Sequence, residues 1–280
     1  MPRRLLEEWL FEDVGRGDLT STVLGLRSVK GVAELYVRES CIVACSEEAG
    51  EVYRIAGAEN VEVLVESGSM VEPGTVVLRA EGRGDALHAA WRVAQVIVAL
   101  CSGVATKTWR MVRKAREANP KIAIVTTRKA PPGLRPLYFK AVIAGGGMPH
   151  RAGLDDTVLL FDNHWVLLRG GFSEALERLR ASNVGALRSW GVEVRSVEEA
   201  LEAIAAGAQF IQFEKVKPDL LRQFVRVVRE KAPHVKIGVA GGIDDHNVAE
   251  YAATGVDFIV TSAPYHASPV DVGTRMKRLE

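Results

Sequence analysis

A local surplus of cationic side chains lies between Thr127 and Arg151. Six basic side chains fall within these twenty-five residues, among them Arg128, Lys129, Arg135, His150 and Arg151. The net charge of the 280-residue chain is only +1, so such a surplus is not general. Guanidinium groups bind carboxylates and phosphates through paired hydrogen bonds, and glycine-rich backbone offers N–H groups to anions. We therefore expect a site for a polyanionic small molecule; the alternative is a solvated basic loop.

Two glutamates lie on neighbouring predicted strands, or directly at their ends, further along the chain. Glu193 lies on one strand and Glu214 ends the next, so both carboxylates belong at one edge of a parallel sheet. Two carboxylates suit a divalent cation that is shared with phosphates, and either could stabilise a developing positive charge. We therefore predict a Mg²⁺ site at Glu193 and Glu214. The alternative is a pair of salt bridges with Lys215 or Lys129.

A glycine pair ends the following strand. Gly241 and Gly242 precede Asp244 and Asp245, which are predicted to start a helix and to present backbone N–H groups to a phosphate. The last strand ends at Thr261, and Ser262 follows as a further candidate phosphate contact. Late strands of β/α barrels commonly bind phosphate at this end.

Other arrangements are less consistent with the sequence. There is no Ser-His-Asp or Cys-His pattern and no GxGxxG or GxxxxGK loop. His150, His164 and Asp162 match no familiar metal-ligand spacing. An anion pocket with two carboxylates and a phosphate-binding turn favours transfer from a phosphorylated sugar to an acidic acceptor. In such a transfer pyrophosphate leaves while the sugar gains oxocarbenium character.

Composition limits the class of protein. Hydrophobic residues make up 48% of the chain, which is enough for a sizeable core. The near-neutral charge argues against a nucleic-acid partner, and no apolar run reaches the roughly 18 residues of a membrane span. Three cysteines (Cys41, Cys45 and Cys101) have no zinc spacing. We expect reduced thiols and a cytoplasmic location.

The first hundred residues predict an α+β unit. Alternation over Val32–Arg38 and Val61–Glu66, and the run Val76–Leu78, indicate strands of an open antiparallel sheet. A short helix is predicted over Leu5–Phe11, and Ser46 is predicted to cap the start of another.

From about Ala86 the pattern changes to long helices and then to alternating strands and helices. Two helices are predicted, Ala86–Leu100 and Thr106–Glu117. Six buried strands follow: Ile122–Thr126, Val158–Phe161, Val192–Val194, Phe210–Phe213, Ile237–Ala240 and Phe258–Thr261. Apolar strands separated by helices indicate a parallel sheet. Polar residues or glycines at most strand ends favour an incomplete β/α barrel over a doubly wound sheet. The predicted domains are residues 1–104, with 266–280 as a candidate addition, and residues 105–265.

Several motifs taken together resemble one known family. They are Glu12–Thr20, Ser102–Thr106, Thr127–Lys129 with Pro132–Arg135, His150–Arg151 and Asp162–His164. In this order they are similar to the quinolinate phosphoribosyltransferases, also called nicotinate-nucleotide pyrophosphorylases (carboxylating). The resemblance implies an α/β sandwich plus an incomplete barrel. It also implies a homodimer, or a higher oligomer, in which each sandwich covers the partner's barrel mouth.

The resemblance also implies roles for matching residues. Arg128, His150 and Arg151 match positions that bind the pyridine dicarboxylate, and Arg92 matches an arginine that reaches across the dimer. Lys129 matches a lysine near the phosphoribosyl donor. Glu193 and Glu214 match the Mg²⁺–ribose carboxylates, with glutamate at Glu214 where the family has aspartate. Gly241 and Gly242 match glycines at the 5′-phosphate.

The chain departs from the family pattern near the acceptor. Phe161 stands where the family has a lysine, and the lysine expected at Phe139 is displaced to Lys140, a further candidate substrate contact. Pro149 replaces an asparagine, Ala240 replaces a serine, and Ser262 begins a turn without the family's glycine. A charged hydrogen bond contributes roughly 1.5–3 kcal/mol, so Phe161 could weaken binding of a dianion by about 10- to 100-fold. Four segments resemble a branch of pyrophosphorylase-like proteins associated with molybdenum transport loci: Trp91–Gln95, Gly147–Leu154, Gln212–Lys215 and Val260–Tyr265.

Three hypotheses about function follow. The first is a phosphoribosyltransferase that uses phosphoribosyl pyrophosphate and Mg²⁺, with quinolinate as the default acceptor. The second keeps this donor and replaces quinolinate by another anionic acceptor. The third is a protein that binds a phosphorylated ligand or oxyanion without catalysis. Retention of Glu193, Glu214 and Lys129 favours the two enzymatic hypotheses.

Overall fold

A four-stranded antiparallel sheet forms the centre of the first of two units. The computed structural model describes residues 3–182 and 188–280. Within them the first unit comprises residues 3–109, 130–146 and 264–280, and the second comprises residues 110–129, 147–182 and 188–263. The sheet has the order β13-β1-β5-β3. Its strands are β1 (Lys30–Val37), β3 (Asn60–Val63), β5 (Val76–Arg83) and β13 (Val272–Arg278).

The first and last strands of the chain pair in this sheet. Leu35 of β1 pairs with Thr274 on one side and with Leu78 on the other. Strand alternation places Leu35 and Leu78 in a buried core, while Glu34 and Arg275 form an exposed cross-strand ion pair of 2.7 Å. The predicted antiparallel sheet is confirmed, although β5 is longer and β3 shorter than the sequence indicated.

Helices and a short strand pair complete the first unit. They are α1 (Arg3–Val14), α2 (Leu19–Val23), α3 (Ser46–Ala56), α5 (Arg135–Ala144), β2 (Cys41–Ile42) and β4 (Met70–Val71). Ser46 does not cap α3, as the sequence suggested. Cys45 occupies the cap position with φ 62°, and Ser46 Oγ donates instead to the carbonyl of Val65 over 2.7 Å.

One helix, α4 (Gly84–Ala118), replaces the two predicted helices. The prediction was wrong because Ser102 and Gly103 act in packing and do not end the helix. Ser102 Oγ accepts a hydrogen bond of 3.0 Å from Ala44 N, and a Cβ on Gly103 would lie 2.3 Å from Ser268 O. The helix is long and apolar enough to cross a membrane, but 56% of its most apolar window is buried, as in a core helix of a soluble protein.

A parallel sheet forms the second unit. In the described part of the chain its order is β7-β6-β12-β11-β10-β9-β8. The strands are β6 (Ala123–Thr126), β7 (Met148–Pro149), β8 (Val158–Leu160), β9 (Trp190–Val194), β10 (Phe210–Glu214), β11 (Lys236–Ala240) and β12 (Phe258–Thr261). The six predicted strands are confirmed. The additional β7 has two residues after a triple glycine, too short for a periodic signal.

Helices separate most of these strands. They are α6 (Asp162–Trp165), α7 (Gly171–Ala181), α8 (Val197–Ala205), α9 (Pro218–Lys231) and α10 (Val248–Ala252). The Ser196 side chain caps α8 by accepting from Glu199 N, and Pro218 occupies the first turn of α9. Residues 130–146, which the sequence analysis placed in the barrel, belong to the first unit.

The parallel sheet curls into a half-barrel. Neighbouring strands are about 4.8 Å apart, so β7 and β10, four places apart, would be about 19 Å apart in a flat sheet. The His150 ring, directly after β7, has its centroid 5.7 Å from the ring of Phe210 on β10. Together with the antiparallel first unit, this curled sheet confirms the predicted fold class: α/β, with an incomplete parallel β/α barrel preceded by an α+β open-faced sandwich.

Strand alternation divides the barrel strands into two faces. Ile211, Phe213, Ile237 and Val239 pack in the core that includes the buried side chains of α8 and α9. The opposite face, called the lumen below, carries a separate apolar cluster of Val125, Ala240 and Val260. Phe210, Gln212 and Glu214 share the lumen side of β10, as do Gly191 and Glu193 on β9.

Glycines make room for aromatic rings in the lumen. A Cβ on Gly191 would lie 2.3 Å from the Phe210 ring, and one on Gly238 would lie 2.1 Å from the Phe258 ring. The two rings meet edge to face at 6.2 Å, and His150 lies 5.9 Å from Phe258. We call Phe210, Phe258 and His150 the aromatic floor of the lumen.

Candidate active site

Cationic side chains follow the two strands at one edge of the half-barrel. Arg128 comes two residues after β6, and Arg151 comes two residues after β7. Arg151 Nη1 donates to the carbonyl of Thr157 over 3.4 Å. Burial lowers the pKa of Arg151, and the positive charge of Arg128 lowers it further. The two guanidinium groups are therefore near enough to interact through their charges.

His150 is uncharged at neutral pH. Its backbone N–H donates to Thr126 O over 2.9 Å, which fixes the residue beside the end of β6. Burial lowers the pKa of His150 to about 4, and the neighbouring charge of Arg151 acts in the same direction. The sequence analysis grouped His150 with the cations, but at neutral pH it offers one N–H donor and one acceptor nitrogen.

Carboxylates lie toward the other edge of the half-barrel. Glu193 and Glu214 belong to neighbouring strands, and Asp162 follows β8. Burial raises the pKa of Glu193, and the negative charges of Glu214 and Asp162 raise it further. Gln212 Nε2 donates to Glu193 Oε2 over 3.0 Å, and Arg195 Nη2 pairs with Asp162 Oδ2 at 2.9 Å. The three carboxylates create a negative field that attracts a cation.

These carboxylates fit a Mg²⁺ ion that is shared with substrate. Within residues 3–182 and 188–280, no group of three or more His, Cys, Asp or Glu side chains is arranged to hold a metal by itself. Mg²⁺ usually takes one or two carboxylates, several waters and the phosphates of its substrate. Glu193 and Glu214 could supply such ligands. The salt bridge foreseen as an alternative is present in part, because Lys215 Nζ lies 3.9 Å from Glu214 Oε1.

The glycine turn after β11 lies beside Glu214. Gly241 and Gly242 have φ of 101° and 70°, and a Cβ on Gly241 would lie 3.0 Å from Lys215 N and 3.2 Å from Glu214 Oε1. The predicted helix start at Asp244 and Asp245 is wrong, because α10 begins at Val248. Asp244 N donates to Asn247 Oδ1 over 2.9 Å, so these residues form a turn.

Lys129 and Ser262 follow the adjacent strands β6 and β12. Lys129 is exposed, and its backbone N–H donates to Thr127 Oγ1 over 3.3 Å. The backbone N–H of Thr127 donates to Thr261 O over 3.1 Å, which holds the ends of β6 and β12 together. Ser262 is half-buried directly after β12. Their contacts with a donor phosphate stay predictions.

Arg92 belongs to α4 in the first unit. Its guanidinium lies over the Trp91 ring at 4.2 Å from the centroid. It lines an apolar cavity of about 410 Å³, together with Trp9, Val96, Leu134 and Tyr138. The predicted role of Arg92 at a partner's barrel mouth stays a prediction.

Lys140 is engaged inside the first unit. Its Nζ lies 2.9 Å from Glu47 Oε2 and 2.6 Å from Glu48 Oε2, and Glu48 is nearly buried. Burial by itself would raise the pKa of Glu47, but hydrogen bonds from Ser67 Oγ and N and from Lys140 lower that pKa to about 2. Lys140 therefore has a structural role in the first unit, and its predicted substrate contact stays a prediction.

Replacement of Lys140 by Met is expected to lower the free energy of unfolding by about 1–3 kcal/mol at pH 7, because Glu48 loses its cation. The pKa of Glu47 is depressed in the folded state, so its contribution is present above its usual pKa of 4.5 and is lost as pH falls toward 2. The variant should lose less stability between pH 5 and pH 2. Urea unfolding at several pH values measures both effects. A substitution of the exposed Lys121 is the control. If it and Lys140→Met lose the same free energy of unfolding at each pH, this role is contradicted.

Three features of this site were not predicted from the sequence. Arg195 was not singled out, although it directly follows β9. Phe210 and Phe258 of the aromatic floor were treated as ordinary strand residues. Gln212 was included in an apolar strand, and its position two residues before Glu214 was the signal that it shares the lumen face.

Comparison with known proteins places this geometry in one family. Residues 18–102 match the model of the quinolinate phosphoribosyl transferase N-terminal domain, and residues 104–275 match that of its C-terminal domain. A protein of Pasteurella multocida named as a ModD pyrophosphorylase is 35% identical over 272 residues, which cover 95% of this chain and 94% of the relative. A protein of Synechocystis named as a nicotinate-nucleotide pyrophosphorylase (carboxylating) is 35% identical, covering 94% and 88%.

Solved structures agree in fold. The nicotinate-nucleotide pyrophosphorylase of Francisella tularensis superposes with a TM-score of 0.88 at 27% identity, covering 99% of this chain and 98% of that one. NadC of Streptococcus pyogenes gives 0.89 at 26% identity, covering 98% and 96%. Matches to both family domains and relatives above 30% identity over nearly the whole length lead to one conclusion. The chain belongs to the quinolinate phosphoribosyltransferase family and is a pentosyltransferase.

Proposed function

We propose that this enzyme transfers phosphoribose from phosphoribosyl pyrophosphate to an anionic aromatic acceptor. The observation that carries the proposal is the arrangement in the second unit of paired guanidinium groups and clustered carboxylates. Arg128 and Arg151 lie at one edge of the half-barrel, and Glu193 and Glu214 lie toward the other. Guanidinium groups suit the acceptor's carboxylate, and carboxylates suit the sugar of the donor.

In the proposed reaction a bond forms between the acceptor's ring nitrogen and C1 of the ribose. The bond from C1 to pyrophosphate breaks, and both electrons leave with pyrophosphate. Glu193, whose carboxylate lies partly buried in the lumen, stabilises the positive charge that develops at C1. Bound Mg²⁺ would neutralise charge on the departing pyrophosphate. Gly241 and Gly242 would receive the 5′-phosphate, and Lys129 would assist at the donor.

Quinolinate is the default acceptor, and its reaction yields nicotinate mononucleotide, pyrophosphate and CO₂. Two observations favour another anionic acceptor as the second candidate. Phe161 stands where the resemblance implies a lysine, and its ring centroid lies 4.1 Å from that of His164. His150 is neutral at physiological pH because burial and Arg151 lower its pKa to about 4. Both reduce the positive charge available to a dianion.

Pyrophosphate release tests the proposal. The enzyme is incubated with phosphoribosyl pyrophosphate and Mg²⁺, with and without quinolinate, and pyrophosphate is measured. Release that depends on quinolinate, with nicotinate mononucleotide formed, would support the default acceptor. Binding of donor without quinolinate-dependent release would support a different acceptor. Absence of donor binding would overturn the proposal and favour a binding protein for another anion.

We also propose a homodimer in which Arg92 of one chain serves the barrel of its partner. Arg92→Ala and Arg128→Ala chains are each expected to lose activity, because each removes a cation that binds the acceptor. Mixed chains should recover up to about a quarter of wild-type activity, since mixed dimers contain one intact site. Assays of mixtures at varied ratio measure this. No recovery, despite subunit exchange shown by mass spectrometry of labelled chains, would contradict a shared site.

A further inference from the structure

Gln212 carries a buried oxygen that lacks a hydrogen-bond partner among the described residues. The residue is 3% exposed on β10, and its Nε2 donates to Glu193 Oε2 over 3.0 Å. Its Oε1 is buried and accepts no hydrogen bond from residues 3–182 or 188–280. Buried acceptors without partners are rare in native proteins, and those that persist are commonly satisfied by a ligand or an ordered water.

The hydrogen bond to Glu193 determines which end of the Gln212 carboxamide lacks a partner among the described residues. The NH₂ end of the carboxamide faces Glu193, since Gln212 Nε2 donates to Glu193 Oε2. The amide oxygen is then left for a different partner. That partner must be a donor, because a carbonyl oxygen repels carboxylates and phosphate oxygens. Gln212 is therefore unsuited to contact the anionic groups of either substrate.

Depth separates Gln212 from the phosphate end of the site. Phe210, Gln212 and Glu214 occupy three successive levels on the lumen side of β10, about 7 Å apart. Phe210 belongs to the aromatic floor, and Glu214 lies beside the glycine turn. Gln212 lies between them and is more deeply buried than Glu214, whose side chain is 18% exposed.

The lumen face of the strands around Gln212 is largely apolar. Val125, Ala240 and Val260 form an apolar cluster on the lumen side of the neighbouring strands. Gly191 and Gly238 leave the space that the floor rings of Phe210 and Phe258 occupy. A charged phosphate would lose its hydration against such surfaces, whereas an aromatic ring would pack on them.

We propose that Gln212 is a specificity-determining residue of the acceptor site, and that its Oε1 accepts a hydrogen bond from an N–H or O–H group on the acceptor's ring. This inference rests on the proposed function, because it requires an aromatic anion in the lumen. It limits the acceptor to heteroaromatic carboxylates that carry a hydrogen-bond donor on the ring. Quinolinate at neutral pH has no N–H or O–H group and would leave Gln212 Oε1 without a partner.

Calorimetric titration of the full-length protein with matched pyridine-3-carboxylates tests the inference. Each pair carries an amino or a methyl group at the same ring carbon, and each free ring position is tried, so that shape is held nearly constant. At one position the wild type should bind the amino compound about tenfold more tightly than the methyl compound, the size of one buried neutral hydrogen bond. In Gln212→Met the preference at that position should fall to about one.

Donor titration separates this inference from the proposed function. Phosphoribosyl pyrophosphate with Mg²⁺ is titrated into the same proteins, which also shows that Gln212→Met is folded. The inference is overturned if no position in the wild type favours the amino compound, if the preference survives in Gln212→Met, or if the substitution weakens the donor instead. In each case pyrophosphate release that depends on quinolinate would leave the proposed function intact. Loss of donor binding by the wild type would overturn both.

Discussion

Glu193→Gln is expected to reduce kcat by about 100- to 1,000-fold while the Kd for phosphoribosyl pyrophosphate changes by less than about tenfold. The substitution keeps the shape of the side chain and its contact with Gln212, but it removes the negative charge that would stabilise C1 of the ribose. Loss of one preorganised electrostatic group in an active site commonly has an effect of this size. Donor binding depends more on the phosphate contacts and should largely survive.

Single-turnover rates and calorimetric donor titrations measure the two quantities separately. Glu230→Gln is the matched control, since Glu230 forms an exposed pair with Arg226 on α9. The control should leave kcat within a factor of two. A Glu193→Gln variant with normal turnover would contradict the assigned role. If turnover and donor affinity fall together by similar factors, Glu193 acts mainly in binding.

Gly241→Ala is expected to lower the free energy of unfolding by about 2–5 kcal/mol and to abolish detectable donor binding. The residue has φ 101°, which L side chains rarely adopt, and a Cβ would meet Lys215 N at 3.0 Å and Lys215 Cγ at 2.5 Å. Lys215 Cγ can move, but its backbone nitrogen is held by a 2.8 Å hydrogen bond to Ala240 O. Relief of the contact must shift the strand ends that carry Glu214.

Gly242→Ala separates backbone strain from steric contact. Gly242 has φ 70°, and a Cβ there would have no atom within 4 Å. The free energy of unfolding of this variant should fall by about 1–2 kcal/mol, and most of its donor affinity should remain. The reason is that the left-handed backbone conformation of an L residue is its only energetic cost. Urea unfolding and donor titration of both variants give the comparison. Similar losses in the two variants would contradict a steric role for Gly241.

Local signals predicted most elements of the fold. Alternation identified β1 and β3 because one face of each strand is more buried than the other. Continuous apolar runs identified the barrel strands because helices cover one face and the lumen the other. The sequence analysis failed where a distant contact overrides a local preference. Gly103 would usually weaken a helix, but the close approach of Ser268 O requires a glycine there.

The site was predicted unevenly for the same reason. Arg128, Arg151, Glu193 and Glu214 could be placed because residues at the carboxyl ends of parallel strands converge at one end of a barrel. The protonation state of His150 could not be predicted, because it depends on burial against Phe210 and Phe258 from strands far along the chain. The ion pairing of Lys140 likewise depends on α3, which lies about ninety residues earlier in the chain.

The sequence by itself determined the family, the polar groups that follow each predicted strand, and the residue types available for binding anions and a cation. These properties are encoded in periodicity and in short motifs, which are local in the chain. Only the tertiary structure decided which of these groups are buried and which lie close to one another. The curl of the sheet brings His150 onto the aromatic floor, sets Glu193 beside Gln212 and leaves one buried amide oxygen without a partner among the described residues. Burial and charge proximity depend on contacts between residues distant in sequence, and these set protonation and specificity.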